Sequence, residues 1–365
     1  MTQALEGAGG DVLAEIRDGV ATVTLNRPAS LNALTVAMFH VLDAWLQAWR
    51  DNADVRLVAF KGAGGKAFCA GGDVRQVREA HLAGDPVWKT YFVHEYAFDY
   101  SLYAYPKPIV VVMDGITMGG GMGVAQGSAL RIVTPRSRVA MPETAIGLFP
   151  DVGATGFLNR APGEVGLYLA LTGATIGPAD ALYANLADVC VGDDRRGHLD
   201  DALRASASQP DPLTAVTKWA KSASLSLPPG ELETQRATID RHFSLDTVEA
   251  IVDSLGAETE PAAREWATRT RDLLLRRSPT SLKVTMRQIR EGRSLALADV
   301  FRRELGMVRS AFDIGDVAEG VRAVLVDKDH QPRWQPATLA EVTPERVAAF
   351  FQPWWEPGEH PLRHL

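Results

Sequence analysis

The sequence predicts an α/β fold, and a regular alternation of two patterns carries that prediction. Short apolar runs at Val55–Phe60, Ile109–Met113 and Leu130–Thr134 have the composition of buried strands, and each is followed by glycine or turn residues and then a helical pattern. Leu34 to Arg50 has apolar residues at helical spacing, which predicts an amphipathic helix. Strands that alternate with helices are typical of α/β domains.

The first thirty residues predict a β-hairpin. Val12–Arg17 and Val20–Asn26 flank Asp18-Gly19, a dipeptide favoured in two-residue turns because both positions must tolerate positive φ. A hairpin that leads into alternating strands and helices fits the same fold class.

The composition of the chain changes after residue 195, where predicted helices and loops replace the alternating strands and helices. Polar and proline-rich loops punctuate the next segment, Leu232 to Arg277 has a helical composition, and Ser278-Pro279 predicts the start of a further helix capped by Ser278 or Thr280. We therefore divide the sequence into a core at 1–195, a helical insertion or linker at 196–277, and a C-terminal helical region and tail at 278–365.

Composition excludes several classes of protein. The 365 residues include 38 Lys and Arg against 45 Asp and Glu, and a formal charge of −7 does not favour nonspecific nucleic-acid binding. The two cysteines form neither a disulfide framework nor a metal-binding spacing. We see no secretory signal, and the most apolar stretch, 108–125, is interrupted by Asp114 and several glycines, so no membrane span is expected. Free thiols favour a reducing compartment, and we expect a cytoplasmic protein.

Two glycine-rich segments predict an oxyanion-binding site. Gly119-Gly120-Gly121 precedes a predicted helix, and exposed N–H groups at such a position hold negative charge. Cys69 lies in a segment that follows a predicted strand, and the small residues Ala70, Gly71 and Gly72 after it allow close backbone approach. The N–H groups of Cys69 and Gly120 together would hold the oxygen of a thioester in the transition state. Tight backbone packing alone is the other interpretation of the glycine triple.

Two acidic residues follow the glycine triple and are the candidate catalytic groups. Glu143 lies in an apolar setting after Met141-Pro142, and Asp151 lies in a Phe-Pro-Asp-Val-Gly turn. Carboxylates in such places act as general bases or nucleophiles. The alternatives are a helix cap or ion pair for Glu143 and turn initiation for Asp151. A nucleophilic role for the Cys69 thiol is not expected, because no histidine lies nearby in the sequence.

Taken together, these segments resemble the crotonase, or enoyl-CoA hydratase/isomerase, superfamily, and within it the 3-hydroxyisobutyryl-CoA hydrolase branch. The strings that carry the resemblance are LNRPASLNAL (25–34), AFCAGGD (67–73), GITMGGGMG (115–123), AMPETAIGLFPDVG (140–153), LALTG (169–173), SPTSLKVT (278–285) and DVAEGVRAVLVDKDHQPRW (316–334). The resemblance extends from about residue 12 to about residue 340. It implies a crotonase-like β-β-α spiral core with a helical C-terminal region.

One departure from the hydratase pattern bears on the reaction. Hydratases of the superfamily carry a first glutamate just after the glycine triple, and that position is Gly123 in this sequence. The second glutamate is retained as Glu143, and the hydrolase branch pairs it with an aspartate, which matches Asp151. A chain with one of the two hydratase carboxylates is less suited to adding water across a double bond.

The resemblance implies hydrolysis of a short 3-hydroxyacyl-CoA thioester, with 3-hydroxyisobutyryl-CoA as the expected substrate and valine catabolism as the expected pathway. The residues that it implies are Glu143 and Asp151 as catalytic groups, Cys69 and Gly120 as the oxyanion hole, Glu95, Gly120, Glu143 and Asp151 around the acyl group, and Arg27, Ala29, Leu31 and Ala67 around coenzyme A. No metal or further cofactor is expected, because coenzyme A is part of the substrate, and a homo-oligomer is one option. An enoyl-CoA hydratase or isomerase and a non-catalytic acyl-CoA binding protein are the alternative functions.

Overall fold

The computed structural model describes residues 3–365. Its ten strands are β1 (Gln3–Gly7), β2 (Val12–Arg17), β3 (Val20–Leu25), β4 (Leu57–Gly62), β5 (Ala67–Cys69), β6 (Ile109–Met113), β7 (Ile116–Met118), β8 (Leu130–Val133), β9 (Arg138–Ala140) and β10 (Val189–Cys190). The α-helices of the first 230 residues are α1 (Val36–Arg50), α2 (Val74–Leu82), α3 (Val87–Tyr103), α4 (Gly120–Gln126), α5 (Ala154–Leu158), α6 (Val165–Thr172), α7 (Pro178–Tyr183), α8 (Asp193–Arg196), α9 (Leu199–Ala207) and α10 (Pro212–Ser222).

The remaining described residues are helical in most parts. Their α-helices are α11 (Glu231–Thr234), α12 (Arg236–Phe243), α13 (Val248–Gly256), α14 (Pro261–Leu274), α15 (Pro279–Glu291), α16 (Leu297–Ile314), α17 (Val317–Val321) and α18 (Pro344–Ala349). The region 232–277, expected as wholly helical, is divided into four helices, because Thr247 caps α13 and Pro261 begins α14. The predicted cap of α15 is confirmed for Ser278, whose hydroxyl accepts a hydrogen bond from the Ser281 N–H at 3.1 Å.

Seven strands form the main sheet in the order β1-β2-β3-β4-β6-β8-β10. The hairpin prediction is confirmed: β2 and β3 are antiparallel, and Asp18 and Gly19 between them have φ of 50° and 85°. From β3 onwards the neighbours are parallel. The α/β class predicted from alternation is therefore correct.

A second sheet, β5-β7-β9, was not predicted. Each of its strands has three residues, too few to show the alternation by which a strand is recognised in a sequence. This small sheet carries Cys69 at the end of β5 and leads from β7 into the glycine triple.

Two compact units make up the chain, and each is assembled from separated segments. The first comprises the residues up to Gly72, Ala97–Val139 and Ile176–Gly230, and the second comprises Asp73–Tyr96, Ala140–Thr175 and Glu231–Leu365. The sequence predicts three consecutive regions, 1–195, 196–277 and 278–365, whereas the compact units in space combine segments that are separated in the chain.

The first unit is organised by the main sheet with α9 and α10 packed on one face. The apolar side chains of this interface are Val20, Leu57, Ala59, Val110, Val112, Leu130, Ile132, Val189, Val191, Leu199, Leu203, Ala207, Val216, Ala220 and Ala223. Their burial is the main source of stability for this layer. In the described residues 3–365, no helix has the length and apolar character that a membrane crossing requires.

Substitution of Gly121 tests how closely α4 approaches β5. A Cβ on Gly121 would lie 2.3 Å from the carbonyl oxygen of Cys69, so Gly121→Ala is expected to lower the free energy of unfolding by about 2 kcal/mol through overpacking. Gly197→Ala is the matched control, because its Cβ meets nothing within 4 Å and its φ of −60° suits alanine. Melting temperatures of both variants check this, and equal values would contradict it.

Candidate active site

The two residues predicted to hold an oxyanion lie close together in the first unit. Cys69 is the register partner of Thr117 in the parallel pair β5–β7, and Gly120 begins α4 two residues after β7 ends. Gly121 approaches the carbonyl of Cys69 so closely that a side chain would not fit. As the first residue of α4, Gly120 has an N–H with no acceptor inside the helix, so it is available to a ligand.

The thiol of Cys69 is engaged in a local turn. Its Sγ accepts from the N–H of Gly71 at 3.4 Å and donates to the carbonyl of the same residue at 3.6 Å. The side chain is fully buried. The role of the Cys69 backbone in chemistry stays a prediction.

Asn32 stabilises the backbone at Ala63 and Ala67, just before Cys69, and is not a residue that the sequence predicts for the site. Its buried side chain donates to the carbonyls of Ala63 at 3.0 Å and Ala67 at 2.9 Å and accepts from the N–H of Arg27 at 2.9 Å. Asn32 has a φ of 59°, which asparagine tolerates better than most residues. The only signal in the sequence is an asparagine next to leucine in a turn, which many loops share.

The residues predicted to contact coenzyme A are found in the same turn and in β5. Arg27 donates to the carbonyl of Ala33 at 2.7 Å and lies 3.4 Å from the carboxylate of Asp11. Ala29 is exposed, Leu31 is half-buried, and Ala67 is buried. Their contact with coenzyme A stays a prediction, and Arg27 would have to share its guanidinium with Asp11 to bind a phosphate.

In the second unit, the three acidic residues of the predicted site lie together. Glu95 comes from α3, Glu143 begins a 3-10 turn at Glu143–Ile146, and Asp151 lies just before α5; their exposed fractions are 3%, 5% and 5%. Oδ2 of Asp151 accepts a hydrogen bond from Oη of Tyr96 at 2.6 Å. Among residues 3–365, Oε2 of Glu143 has no hydrogen-bond partner, so one oxygen of this carboxyl is available to a reactant.

Burial dominates the electrostatics of this acidic group. It raises the pKa of Glu143 and Glu95 well above the usual range, and the charge of Asp151 is the next cause for both. Burial also raises the pKa of Asp151 to about 6, against the opposing effect of the Tyr96 hydroxyl. Neighbouring carboxylates resist simultaneous ionisation, so the group retains protons into the neutral range.

A fourth buried carboxyl, Glu304 of α16, was not predicted. Its Oε2 accepts from the N–H of Gly153 at 2.7 Å, and its Oε1 accepts from the N–H and hydroxyl of Thr155 at 3.1 and 2.7 Å. The amide of Gln288 donates to the carbonyl of Pro150 at 2.7 Å and to the Thr155 hydroxyl at 2.8 Å. Glu304 therefore caps the start of α5, a role ordinarily filled by a residue of the same helix.

This cap holds a strained backbone. Val152, between Asp151 and Gly153, has a φ of 53°, which a β-branched residue rarely adopts. A left-handed conformation costs roughly 1–3 kcal/mol and persists only where surrounding contacts impose it. The hydrogen bonds that Glu304 accepts from the N–H groups of Gly153 and Thr155 impose it here. They thereby fix the backbone that follows Asp151.

The segments 278–285 and 316–334, which carry part of the family resemblance, contact the 3-10 turn of Glu143. The N–H of Ser278 donates to the carbonyl of Thr144 at 3.3 Å, and the hydroxyl of Ser278 donates to Oδ2 of Asp316 at 2.6 Å. A Cβ on Gly320 would lie 2.3 Å from the backbone of Ile146, so α17 packs directly on this turn. The strings at 278–285 and 316–334 thus support the glutamate and need not touch a substrate.

The raised pKa values predict how stability depends on pH. A carboxyl whose folded-state pKa exceeds its unfolded value contributes stability that is present at low pH and is lost as the pH rises through the folded value. The folded-state pKa is about 6 for Asp151 and about 8 for Glu304, so the melting temperature should fall between pH 5 and pH 8. Glu143→Gln removes one such carboxyl, so the variant should gain on the wild type as pH rises. Thermal unfolding of both proteins measures this: a melting temperature of the variant minus that of the wild type that stays constant or becomes more negative as pH rises would contradict the burial argument.

Comparison with known proteins places this chain in a family. The enoyl-CoA hydratase/isomerase family profile matches residues 20–351. The chain is 40% identical to the mitochondrial 3-hydroxyisobutyryl-CoA hydrolase of Gallus gallus over 94% of this chain and 89% of that protein, and 38% identical to that of Homo sapiens with the same coverage.

Two solved structures match the fold over nearly the whole chain. A carnitinyl-CoA dehydratase from Mycobacterium thermoresistibile has a TM-score of 0.86 at 39% identity, covering 94% of this chain and 96% of its own. An enoyl-CoA hydratase from Rhodobacter sphaeroides has a TM-score of 0.84 at 37% identity, covering 94% and 98%. With the profile match and these relatives, the chain belongs to the enoyl-CoA hydratase/isomerase family and has its crotonase fold.

Proposed function

We propose that this protein hydrolyses the thioester of 3-hydroxyisobutyryl-CoA, giving 3-hydroxyisobutyrate and coenzyme A. Relatives at about 40% identity over 94% of the chain bear the name of that hydrolase. The observation that carries the proposal is the buried pair Glu143 and Asp151, combined with glycine at position 123. One carboxyl with a free oxygen suffices for attack on a thioester, whereas the hydratase pattern uses a second glutamate that this chain lacks.

The thioester oxygen is assigned to the N–H groups of Cys69 and Gly120. Charge grows on this oxygen as the carbonyl becomes tetrahedral, and preorganised backbone donors stabilise it without reorganisation. In the same proposal the carboxylate of Glu143 attacks the carbonyl carbon, or removes a proton from a water that attacks. The coenzyme A thiolate leaves in both routes, so neither a redox cofactor nor a metal is required.

The two routes differ in the fate of one oxygen atom. Nucleophilic attack by Glu143 forms an anhydride, and water that cleaves it at the enzyme carbonyl leaves a solvent oxygen in the glutamate. General-base attack leaves the glutamate unlabelled. Repeated turnover in H₂¹⁸O is followed by mass spectrometry of the peptide that contains Glu143, and incorporated label identifies the nucleophilic route. Cleavage of the anhydride at the substrate carbonyl would leave the glutamate unlabelled, as general-base attack does.

Asp151 and Glu95 are assigned to the acyl group. The ionised form of Asp151 accepts hydrogen bonds, which suits the 3-hydroxyl of the substrate. Glu95 retains a proton more readily than an exposed glutamate, because burial and the charge of Asp151 raise its pKa. It is therefore suited to donate a hydrogen bond. The two carboxyls thus offer an acceptor and a donor to the same acyl chain.

Hydration of an enoyl-CoA is the second candidate function, because the two structural relatives described above carry the names dehydratase and hydratase. Hydratases use two glutamates, and Glu143 would then act alone as the base, because the position of the other glutamate is Gly123. Parallel assays of free thiol release and of enoyl absorbance loss with crotonyl-CoA distinguish the two reactions. A protein that binds acyl-CoA and gives neither signal would be a non-catalytic binding protein.

Location and assembly stay predictions. The hydrolase relatives are named as mitochondrial proteins, whereas we propose a cytoplasmic location on the basis of the free thiols. The pathway and a homo-oligomeric state are likewise proposals, which a growth test on valine and sedimentation analysis would address.

Glu143→Gln should lower kcat for thiol release by roughly 10³-fold and change KM by no more than a few-fold, because the amide keeps the shape but removes the base and nucleophile. The matched control is Glu265→Gln, whose side chain is 87% exposed on α14. Steady-state kinetics on 3-hydroxyisobutyryl-CoA measure both variants. Thiol release within a few-fold of the wild type would remove Glu143 from the mechanism.

Asp151→Asn should weaken discrimination between hydroxylated and plain acyl groups. A site built to bond a hydroxyl rejects the analogue without one, since its own polar group is left unpaired. We expect the wild type to prefer 3-hydroxyisobutyryl-CoA over isobutyryl-CoA by more than roughly tenfold in kcat/KM, and the variant to bring that ratio toward one. An unchanged ratio with both rates reduced would assign Asp151 to water positioning instead.

A further inference from the structure

We propose that Tyr96 is a positioning residue, whose hydroxyl orients the carboxylate of Asp151 as an acceptor for the substrate hydroxyl. This inference rests on the proposed function, since it specifies how that site selects a hydroxylated acyl group. Tyr96 was not among the residues that the sequence singled out, and the chemistry that we assign to it passes through Asp151.

The hydrogen bond between Tyr96 and Asp151 is short and is buried from solvent. Oη of Tyr96 lies 2.6 Å from Oδ2 of Asp151, the tyrosine is fully buried, and the aspartate is 5% exposed. The hydrogen bond therefore does not compete with solvent, which makes it stronger than a surface contact. Because Tyr96 occupies Oδ2, the free lone pairs of the carboxylate are restricted to a smaller set of directions.

The ring of Tyr96 is fixed by aromatic packing. Its centroid lies 5.9 Å from that of Phe301 on α16 and 6.0 Å from that of Phe92 on α3. A tyrosine has only two side-chain torsions, so these contacts leave its hydroxyl in one place. Tyr96 thus fixes the carboxylate end of Asp151, and Glu304 fixes the backbone end through Gly153.

The direction of the hydrogen bond follows from the charges nearby. Burial and the charge of Asp151 raise the pKa of Tyr96 well above its usual value, so the phenol keeps its proton and donates it. The ionisable groups that affect Asp151 or its neighbours in this cluster are Glu95 and Tyr96 from α3, Glu143 from the 3-10 turn, and Glu304 from α16. All of these except Tyr96 are carboxylic acids. The hydrogen bond from the Tyr96 hydroxyl lowers the pKa of Asp151 and so favours its ionised form.

Tyr96→Phe tests the proposal, because it removes the hydroxyl and keeps the ring. The first measurement is a ¹³C NMR titration of protein labelled at the aspartate side-chain carboxyls, in which the Asp151 signal is assigned by its absence in Asp151→Asn. We expect the Asp151 titration to move upward by about one pH unit, a tenfold change in its ionisation constant. Tyr105→Phe is the matched control, since it removes a hydroxyl that donates to the carbonyl of Leu46 at 2.8 Å.

The second measurement is the ratio of kcat/KM for 3-hydroxyisobutyryl-CoA and isobutyryl-CoA. Tyr96→Phe should reduce this ratio severalfold, whereas Tyr105→Phe should leave it at the wild-type value. An unmoved Asp151 titration, or a moved titration with an unchanged ratio, overturns the proposal. If the wild type releases no thiol from either substrate, the proposed function fails, while the titration still decides whether Tyr96 governs Asp151.

A second variant covers the case in which Tyr96→Phe does not fold. 3-Fluorotyrosine at position 96 keeps the ring and the hydroxyl and makes that hydroxyl a stronger donor. The Asp151 titration should then move to lower pH than in the wild type. A titration that stays in place or rises would overturn the proposal.

Discussion

Burial of carboxyl groups is the constraint on which the second unit depends. Glu95, Glu143, Asp151 and Glu304 are each no more than 5% exposed, and an isolated buried carboxylate is costly unless it is neutralised or hydrogen-bonded. The protein meets this cost in different ways at different positions. Glu304 accepts hydrogen bonds from backbone and hydroxyl donors, and Asp151 accepts one from the Tyr96 phenol. Burial raises the pKa of all four carboxyls, and for Glu143 and Glu95 the charge of Asp151 is the next cause.

These differences assign different chemistry to similar groups. A carboxyl that is satisfied by fixed donors is a structural anchor, and Glu304 has that character. A carboxyl with one oxygen left unpaired, such as Glu143, is a better base and nucleophile because solvation does not compete for its lone pairs. The hydrogen bond from the Ser278 N–H to Thr144 and the close packing of α17 on Ile146 hold the turn of Glu143 in place.

The first unit meets a different requirement, which is to bring the start of α4 close to the backbone of Cys69. Close approach requires the absence of side chains, and Gly121 provides it where α4 meets the carbonyl of Cys69. The approach also requires that the polar backbone of β5 be satisfied, and the buried amide of Asn32 does this for Ala67. A small unpredicted sheet is therefore the scaffold of the predicted oxyanion site.

Local patterns in the sequence determined much of this protein. Asp18-Gly19 determined the hairpin, Ser278-Pro279 determined the start of α15, and the run Ile109–Met113 determined β6 with the same bounds, because the turn, the cap and the strand are each set by neighbouring residues. The motifs also supplied the family and the candidate groups Glu143 and Asp151. Only the tertiary structure decided which residues support them. Glu304 is 151 residues from the N–H that it caps and Tyr96 is 55 residues from the carboxylate that it holds, and no periodicity or turn propensity records a partner at such a separation, since the contact exists only once the chain has packed.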